Sequence, residues 1–477
     1  MNYRLRKDIR LLSNDQGSFL VREHPLALLR VNGSLAALVS RLQGDPDTTC
    51  SAGEKQTLQQ LAARGFAESV LSTATTGADL PTVSIVIPVK DREDELRRCL
   101  ESIRGISYPE ELLQLIVVDD GSSDRSAEVA RSFGALLIPS GGTGRGPAAA
   151  RNVGARAARG EILAFIDSDC TASTDWLAQL APPFSNPMTA AVGGMVDGMC
   201  MDSRIDRYES AMSSLSLGKR ERSANSGDDT FYLPSCNLLV RRSAFMEAGC
   251  FKDEMHVGED VDLTWRLRDN GWTISYLPVG RVYHEHRSTP RSFMSRRFDY
   301  GTSEGLLQRL HPQRRKRMVI PPLLALLLLL CAAAPFTGLP SLAAAVIILV
   351  ADAFWNRHRF VRRGVPIGAL ELMRGRIRAL GSLVYYLSYH LVRYYTIPLL
   401  AVSAVFPLTA LLFTAALITS ARVDHGIRKP RLTFLPFLWI YFMEQAAYGA
   451  GVFWGCLNRK TFASYRVVII RQSELAV

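Results

Sequence analysis

Before residue 310 the apolar runs are short and evenly spaced. Val83–Val89, Leu115–Val118 and Ile162–Ile166 are apolar nearly throughout, the pattern of strands buried on both faces of a parallel sheet. Between them, Leu96, Cys99, Leu100 and Ile103 recur at helical spacing, with Asp91 or Glu93 early in that helix. Residues 126–133 and 148–159 also read as helices, 135–139 and 272–276 as strands. This alternation predicts βαβ units and a parallel sheet over 82–310. Ahead of it, Leu5–Leu12, Ser18–Val21 and Leu26–Asn32 read as short strands separated by turns such as Asn14-Asp15-Gln16-Gly17. Ser34 is placed to cap a helix ended by Gly44-Asp45-Pro46, and a second helix runs from Ser51 to Arg64. Strands with two short helices predict a small winged-helix-like α+β domain over 1–72. Ser72–Pro81, rich in Thr, Ala and Gly, reads as a linker.

The C-terminal third, 311–477, has a different texture. Met318–Ala351 contains no charged residue and is broken by Pro335, Gly338 and Pro340. A crossing needs about 20 apolar residues, so a hairpin of two short spans fits. Arg314–Arg317 and Arg357, Arg359, Arg362 and Arg363 flank it, putting both ends on the cytoplasmic side. Tyr394–Ala421 is long enough for a third span, and Leu432–Asn458, interrupted only by Glu444, for a fourth. Arg374–Arg393 is amphipathic and Tyr-rich, as an interfacial helix would be. Four spans leave the basic loop Arg422–Arg431 outside, against the positive-inside rule; the alternative is that some stretches dip into the interface without crossing. A chain ending near Arg309 is expected to be soluble.

Charge and cysteines narrow the class. The net charge is +11, from 56 Lys+Arg and 45 Asp+Glu. The excess flanks the apolar stretches and forms no low-complexity tail, which favours an anionic membrane surface over nucleic acid. The 8 cysteines are scattered without a CxxC pair, so neither a zinc site nor a disulfide framework is indicated and a reducing cytosol is the simplest setting. The charged N-terminus lacks the apolar core of a secretory signal.

The chemistry gathers at strand ends. Ile162–Ile166 runs into Asp167-Ser168-Asp169. Residues i and i+2 of an extended chain share a side, and α/β sheets bind ligands beyond the carboxyl ends of their strands. Two hard carboxylates there suit Mg²⁺ or Mn²⁺ with a substrate's phosphates, although Asp-Ser-Asp alone is equally good turn chemistry. The loop Gly141–Pro147 fits neither the dinucleotide nor the P-loop spacing, yet it precedes a helix N-terminus where phosphate contact stays open. Asp260–Arg268 reads as a helix with acids early and Arg266 and Arg268 late.

Five segments, VSIVIPVKDRED, IVVDDGSSD, GPAAARNVGARAARGEILAFIDSD, SCNLLVRRSAF and GEDVDLTWRLRDNGW, stand in the order and spacing of the inverting family 2 nucleotide-sugar glycosyltransferases, which 82–300 resembles. That resemblance implies a GT-A fold. It implies that Asp169 ligates the metal with Asp167 nearby and His284 as a third ligand, while His286 stays at the surface or acceptor side. Asp120, with its neighbour Asp119, would receive the nucleobase; Asp91 and Glu93 would contact uridine or ribose. Pro88, Arg151, Arg296 and Arg297 would complete the donor site, the two arginines at the diphosphate, with Ser235 and Asn237 near donor or acceptor. Asp260 would be the base, supported by Glu259, whereas Asp262 reads as an ordinary helix-start acid. The Q-x-x-R-W of processive synthases is absent, which speaks against long-chain synthesis. The polar segment Ser203–Asp229 would border the acceptor cleft.

The front end, with PLALLRVNGSLAALVSRLQGD and LAARGFA, resembles the PqqD-like peptide carriers. All three parts together resemble the glycosyltransferases of the mycofactocin system, a bacterial redox-cofactor pathway built on a ribosomal peptide. The resemblance implies transfer of glucose from UDP-glucose to a peptide-derived small molecule at the cytoplasmic face of the bacterial membrane. The alternatives are an envelope glycosyltransferase acting on a lipid-linked acceptor and, outside enzymes, a peptide-binding scaffold with an inactive transferase domain.

Overall fold

The buried runs pair in one eight-stranded sheet. The computed structural model describes residues 2–470 apart from 7, 15–16, 23–26, 46–47, 71–79, 143, 225–229 and 363–367. Most of the expected linker Ser72–Pro81, part of the Asn14–Gly17 turn and Pro46 lie outside the described residues. The strand order is Arg222–Ala224, Thr273–Tyr276, Thr189–Gly193, Asn237–Arg241, Ile162–Ile166, Val83–Val89, Leu113–Asp119 and Leu136–Pro139. From Ile162–Ile166 outward to Leu136–Pro139 the strands are parallel. The sheet as a whole is mixed rather than parallel, because Asn237–Arg241 runs antiparallel to both neighbours. Helices still separate the later strands, Arg204–Met212 before Asn237–Arg241 and Glu259–Asp269 after it, so the alternation alone does not fix a strand's direction.

Helix Pro147–Ala157 lies hard against the sheet: a Cβ on Gly154 would sit 2.4 Å from Val86 Cγ1. Its small residues Ala148, Ala150 and Ala155 join Val86, Val118, Leu163, Phe165, Leu238 and Val240 in the core. A second, three-stranded sheet pairs Cys170–Ala172 with Val282–His284 and the latter with Val196–Gly198. Its register sets Cys170 opposite His284.

The chain divides into two compact units. One gathers Thr73–Lys316 with Tyr389–Val468; the other gathers Met1–Ser72 with Arg317–Ser388 and the chain end. In the first, helix Phe434–Asn458 packs along helix Pro290–Leu310. Both helices carry G-x-x-x-G, and the glycines face each other. A Cβ on Gly451 would fall 2.0 Å from the Phe298 carbonyl oxygen, and one on Gly305 2.7 Å from that of Gly455. Small residues at this spacing let helix backbones touch. Leu432–Asn458 is therefore not a free fourth span: its Glu444 is buried, accepts from Tyr208 Oη and pairs with Arg297 Nε at 3.3 Å. The solubility expected of a chain ending near Arg309 does not follow, since that cut strips the cover from Tyr208, Phe293 and Arg297. Gly451→Leu is expected to cost about 1–3 kcal/mol by overpacking; thermal unfolding checks it, and an unchanged melting temperature overturns the close approach.

In the other unit, strands Ile9–Asn14, Gly17–Arg22 and Ala27–Val31 form an antiparallel sheet, and Asn2–Leu5 pairs with Ala67–Val70. Asn32, not Ser34, caps helix Gly33–Gly44: its side chain accepts from Leu35 N, three residues on as capping requires. Ser51 and Glu54 close a capping box on helix Ala52–Ala63. The apolar stretch after 317 is a helical hairpin, Pro322–Thr337 and Leu339–Arg362, turned at Gly338 where φ is +71°. Ala353 and Phe360 of its second arm pack with Val21, Leu12 and Leu28 of the sheet. Among the described residues, Leu339–Arg362 is one helix long and apolar enough to cross a membrane. Tyr394–Ala421 is not a single span. Helix Ala369–Ser403 ends before Phe406, and Pro407 starts helix Pro407–Arg428 at the position where proline suits a helix best. Arg374–Arg393 is the middle of that longer helix and not a separate interfacial one.

Candidate active site

Three parallel strands end side by side. Val89 pairs with Asp119, and Asp120 N donates to the Val89 carbonyl. Past these ends opens a cavity of about 880 Å³, into which Pro88, Asp120, Arg151, Asp167 and Asp169 face. Arg151, delivered by helix Pro147–Ala157, is 2% exposed and bridges two acids, Asp167 at 2.5 Å and Glu259 at 2.9 Å. Burial opposes ionisation of Asp167, but Arg151 outweighs it, with His284 and Arg296 adding, and the carboxyl lies below its ordinary value. Asp169 receives Arg92 Nη1 at 2.7 Å.

The small sheet brings His284 beside Asp169, Nε2 to Oδ1 3.6 Å. Oxygen of Asp169, sulfur of Cys170 and nitrogen of His284 lie within 4.8 Å of one another. Burial, chiefly, pushes the Cys170 thiol well up, so it stays protonated. A carboxylate oxygen and an imidazole nitrogen remain at the edge of a diphosphate-sized space, a donor set that fits Mg²⁺ or Mn²⁺ sharing its shell with phosphate oxygens. His286 Nδ1 is 3.2 Å from that of His284. Burial, then His284 and Arg297, lower His286 to about 3, so it is a neutral ring.

A helix start also lines the cavity. Gly258 at φ +81° turns the chain into helix Glu259–Asp269. Asp260 accepts from Ser235 N at 3.2 Å and Val261 N at 2.8 Å and opens on the cavity. Burial first, and next the Glu259 carboxylate, push Asp260 up to about 7. Asp262, two positions on, faces inward: it pairs with Arg266 at 2.7 Å and His311 at 2.9 Å. Burial works against its ionisation, and the His311 hydrogen bond with Arg266 outweighs that.

Other expected site residues stand elsewhere. Asp91 accepts from Ser123 N at 2.7 Å, Glu93 pairs with Arg97 at 3.3 Å, and Asp119 accepts from Ser122; none of the three lines the cavity. Asp120 lines it, but its carboxylate holds the glycine-rich loop through Ser140 Oγ, Arg145 N and Gly146 N. Asn237 is fully buried and ties Trp176 Nε1 to the Met195 and Gly280 carbonyls. Arg297 is clamped between Glu209 at 2.8 Å and Glu444, whereas Arg296 stands open on the cavity. Sequence reasoning missed Arg92, although it lies within the segment VSIVIPVKDRED. It also missed the cavity's lining by Glu304, Tyr389, Arg393, Tyr394 and Tyr448; the lone acid Glu444 in an apolar stretch was the available signal.

Residues 84–249 match the family described as Glycosyl transferase family 2. Over 402 residues, 80% of this chain and 81% of the relative, the sequence is 31% identical to the pre-mycofactocin glycosyltransferase of Mycobacterium tuberculosis. The chain belongs to the family 2 glycosyltransferases. This family 2 glycosyltransferase is also 31% identical over 206 residues to glycosyltransferase AglE of Haloferax volcanii, covering 41% of this chain and 64% of that one. Among solved structures it matches the mannosyltransferase PcManGT from Pyrobaculum calidifontis in complex with GDP-Man and Mn²⁺. There the identity is 17% and the TM-score 0.38, over 65% of this chain and 90% of the other. The 84–249 match includes Asp167 and Asp169 and stops short of Asp260 and His284.

Proposed function

We propose that this glycosyltransferase moves a sugar, with inversion, from a nucleotide-diphosphate donor to a small peptide-derived acceptor of the mycofactocin type, with UDP-glucose as the donor. The observation that supports the reading is one cavity with two chemistries: Asp167, Asp169 and His284 line it, and so does Asp260. Asp169 and His284 would hold Mg²⁺ or Mn²⁺, which when bound supplies positive charge to the departing diphosphate. Arg296 faces the same space and adds its charge to that end. Asp260 takes the proton of the acceptor hydroxyl as that oxygen attacks the anomeric carbon from the face opposite the leaving group. Arg151 fixes Asp167 relative to Glu259, the neighbour of Asp260.

The mycofactocin acceptor is supported by the name of the relative that shares 80% of this chain. A PqqD-like role for the front end, seating a peptide by strand addition, belongs to the same reading. So does attachment to the cytoplasmic face of a membrane: Leu339–Arg362 exposes Leu342, Val346, Ile347, Phe354 and Trp355. Incubation with UDP- and GDP-sugars, with and without Mn²⁺, tests the whole. UDP-glucose is expected to be consumed fastest, and absence of turnover with every donor overturns the reading.

A pH profile tests the base. Asp260 must be deprotonated to accept a proton, and burial followed by Glu259 raises it to about 7. The expected kcat/KM rises with pH and levels off above about 7, falling roughly tenfold per unit below it. A profile flat from acid to neutral pH excludes Asp260 as the base.

A further inference from the structure

Tyr394–Ala421 carries no charged residue. Helix Ala369–Ser403 leads into this stretch, helix Pro407–Arg428 leads out of it, and the turn between them is Ala404-Val405-Phe406. A turn that faces water typically carries Gly, Asn, Asp or Ser. This one has no polar side chain, and Ala404–Leu408 is exposed throughout. Val405 is 71% and Leu411 65% exposed, and Leu400, Phe406, Leu408 and Leu412 are exposed with them. Together they cover the turn and the adjoining part of both helices. Single exposed apolar residues are ordinary on a protein surface, but a continuous cap marks a contact surface.

Hydroxyls in the stretch are already satisfied. Thr396, Ser403, Thr409, Thr414 and Ser420 each donate to a carbonyl three or four residues back. These five need no water, which is what hydrocarbon demands of a polar group. Length sets the depth. The first charge after Phe406 is the exposed Arg422, 16 positions on, about 24 Å along the helix. On the incoming helix Arg393 stands 10 positions before Ser403, about 15 Å. The hydrocarbon of a bilayer is about 30 Å thick, so both arms are shorter than a crossing and the incoming one matches a single leaflet.

Charge selects the lipid. Beyond the arms, Arg422, Arg428, Lys429 and Arg431 are exposed, and Asp424 among them is buried. Helix Arg204–Met212 packs against this base, with Ile205 in one core with Ala421 and Phe437. It brings Arg204 and Arg207 against the exposed Asp202 and against Asp206, which is buried in a capping box. The exposed balance is basic, and each such base is worth about fivefold in partition to an anionic headgroup layer.

We propose that residues 397–412 form a wedge that inserts into one leaflet of an anionic phospholipid bilayer without crossing it. The unit that holds Asp169 and Asp260 thereby has a membrane contact of its own, distinct from Leu339–Arg362 and not dependent on it. A second copy of the chain is the competing occupant, but a flat two-fold contact would cover one side of the tip and leave the rest in water.

The test is power-saturation electron paramagnetic resonance on the full chain in mixed phosphatidylcholine and phosphatidylglycerol vesicles. The exposed Cys331 is replaced by Ala, one spin label is placed by Val405→Cys or by Leu411→Cys, and the parent without the added cysteine gives the background. The Val405 label is expected to meet oxygen more often than an aqueous nickel chelate, at a depth of about 5–15 Å below the phosphates. The Leu411 label is expected nearer the surface. Replacing phosphatidylglycerol by phosphatidylcholine, or Arg428→Gln with Arg431→Gln, is expected to lower the ratio of inserted to aqueous label about fivefold or more. A water-exposed label at Val405 overturns the proposal. So does contact with chelate sealed inside the vesicles, which marks a crossing, or shielding from both oxygen and chelate, which marks a protein partner such as a second copy. Equal depth at the two sites, or an inserted ratio indifferent to lipid charge, overturns it as well. A label at Ile347→Cys reports Leu339–Arg362 separately, so failure of that attachment and failure of the wedge are read apart.

Discussion

Asp260→Asn is expected to lower kcat by about 10²–10⁴-fold, the usual consequence of losing a general base. The amide keeps the size of the side chain and can still accept from Ser235 N and Val261 N through its oxygen. It cannot take the acceptor proton. Donor affinity should persist, because Asp167, Asp169 and His284, which the substitution leaves in place, are the residues proposed to hold the donor and its metal. The variant also removes a carboxyl held near 7 by burial and by Glu259, so the acidic limb of the pH profile should vanish with it. Steady-state kinetics over a pH series measures both effects. Wild-type kcat in the Asn variant would move the role to Glu259, whose carboxylate is already engaged by Arg151 at 2.9 Å.

Asp169→Ala is the second large effect: turnover should fall to background and Mn²⁺ affinity of the UDP-loaded protein should drop. The concern is whether the variant simply unfolds, since Asp169 also pairs with Arg92 at 2.7 Å. That pair is partly exposed, with side chains 27% and 15% accessible, and such pairs contribute about 0–1 kcal/mol. The strand behind Asp169 is held by its fully buried run Ile162–Ile166, not by the ion pair. A melting temperature close to wild type with lost Mn²⁺ binding is the expected combination. Full activity of the variant in excess chelator would remove Asp169 from the metal role.

The strands were legible where burial on two faces leaves no polar position: Val83–Val89 and Ile162–Ile166 are continuous apolar runs in sequence and buried throughout in the fold. That Asp169 and Asp260 would line a common cavity was legible because each stands where an element ends or begins. The antiparallel Asn237–Arg241 was not, since strand direction is decided by a connection and not by the strand's own residues. Asn237 and Asp119 look like ligand-binding residues in one dimension, but both spend their hydrogen bonds inside the protein. Helix Phe434–Asn458 shows the sharper limit. An apolar helix that packs on a domain and one that packs in lipid have nearly the same composition, and Glu444 alone distinguishes them here, as an acid that needs Arg297 beside it.

The glycine contact between helices 290–310 and 434–458 bears on how the protein is made. Gly301 and Gly451 are 150 positions apart, and the residues Arg317–Ser388 between them fold into the other unit. Closing so long a loop adds little entropy over a shorter one, about 0.6 kcal/mol per doubling, but contacts of such separation form late. On the ribosome, the sheet, the Asp-Ser-Asp turn and Asp260 all emerge before the helix that brings Glu444 and Tyr448 to the cavity exists. Arg297 then has no Glu444 beside it. The part of the cavity lining that Glu444 and Tyr448 supply is thereby tied to the last part of the chain, and a prematurely terminated polypeptide carries Asp167, Asp169 and Asp260 without it.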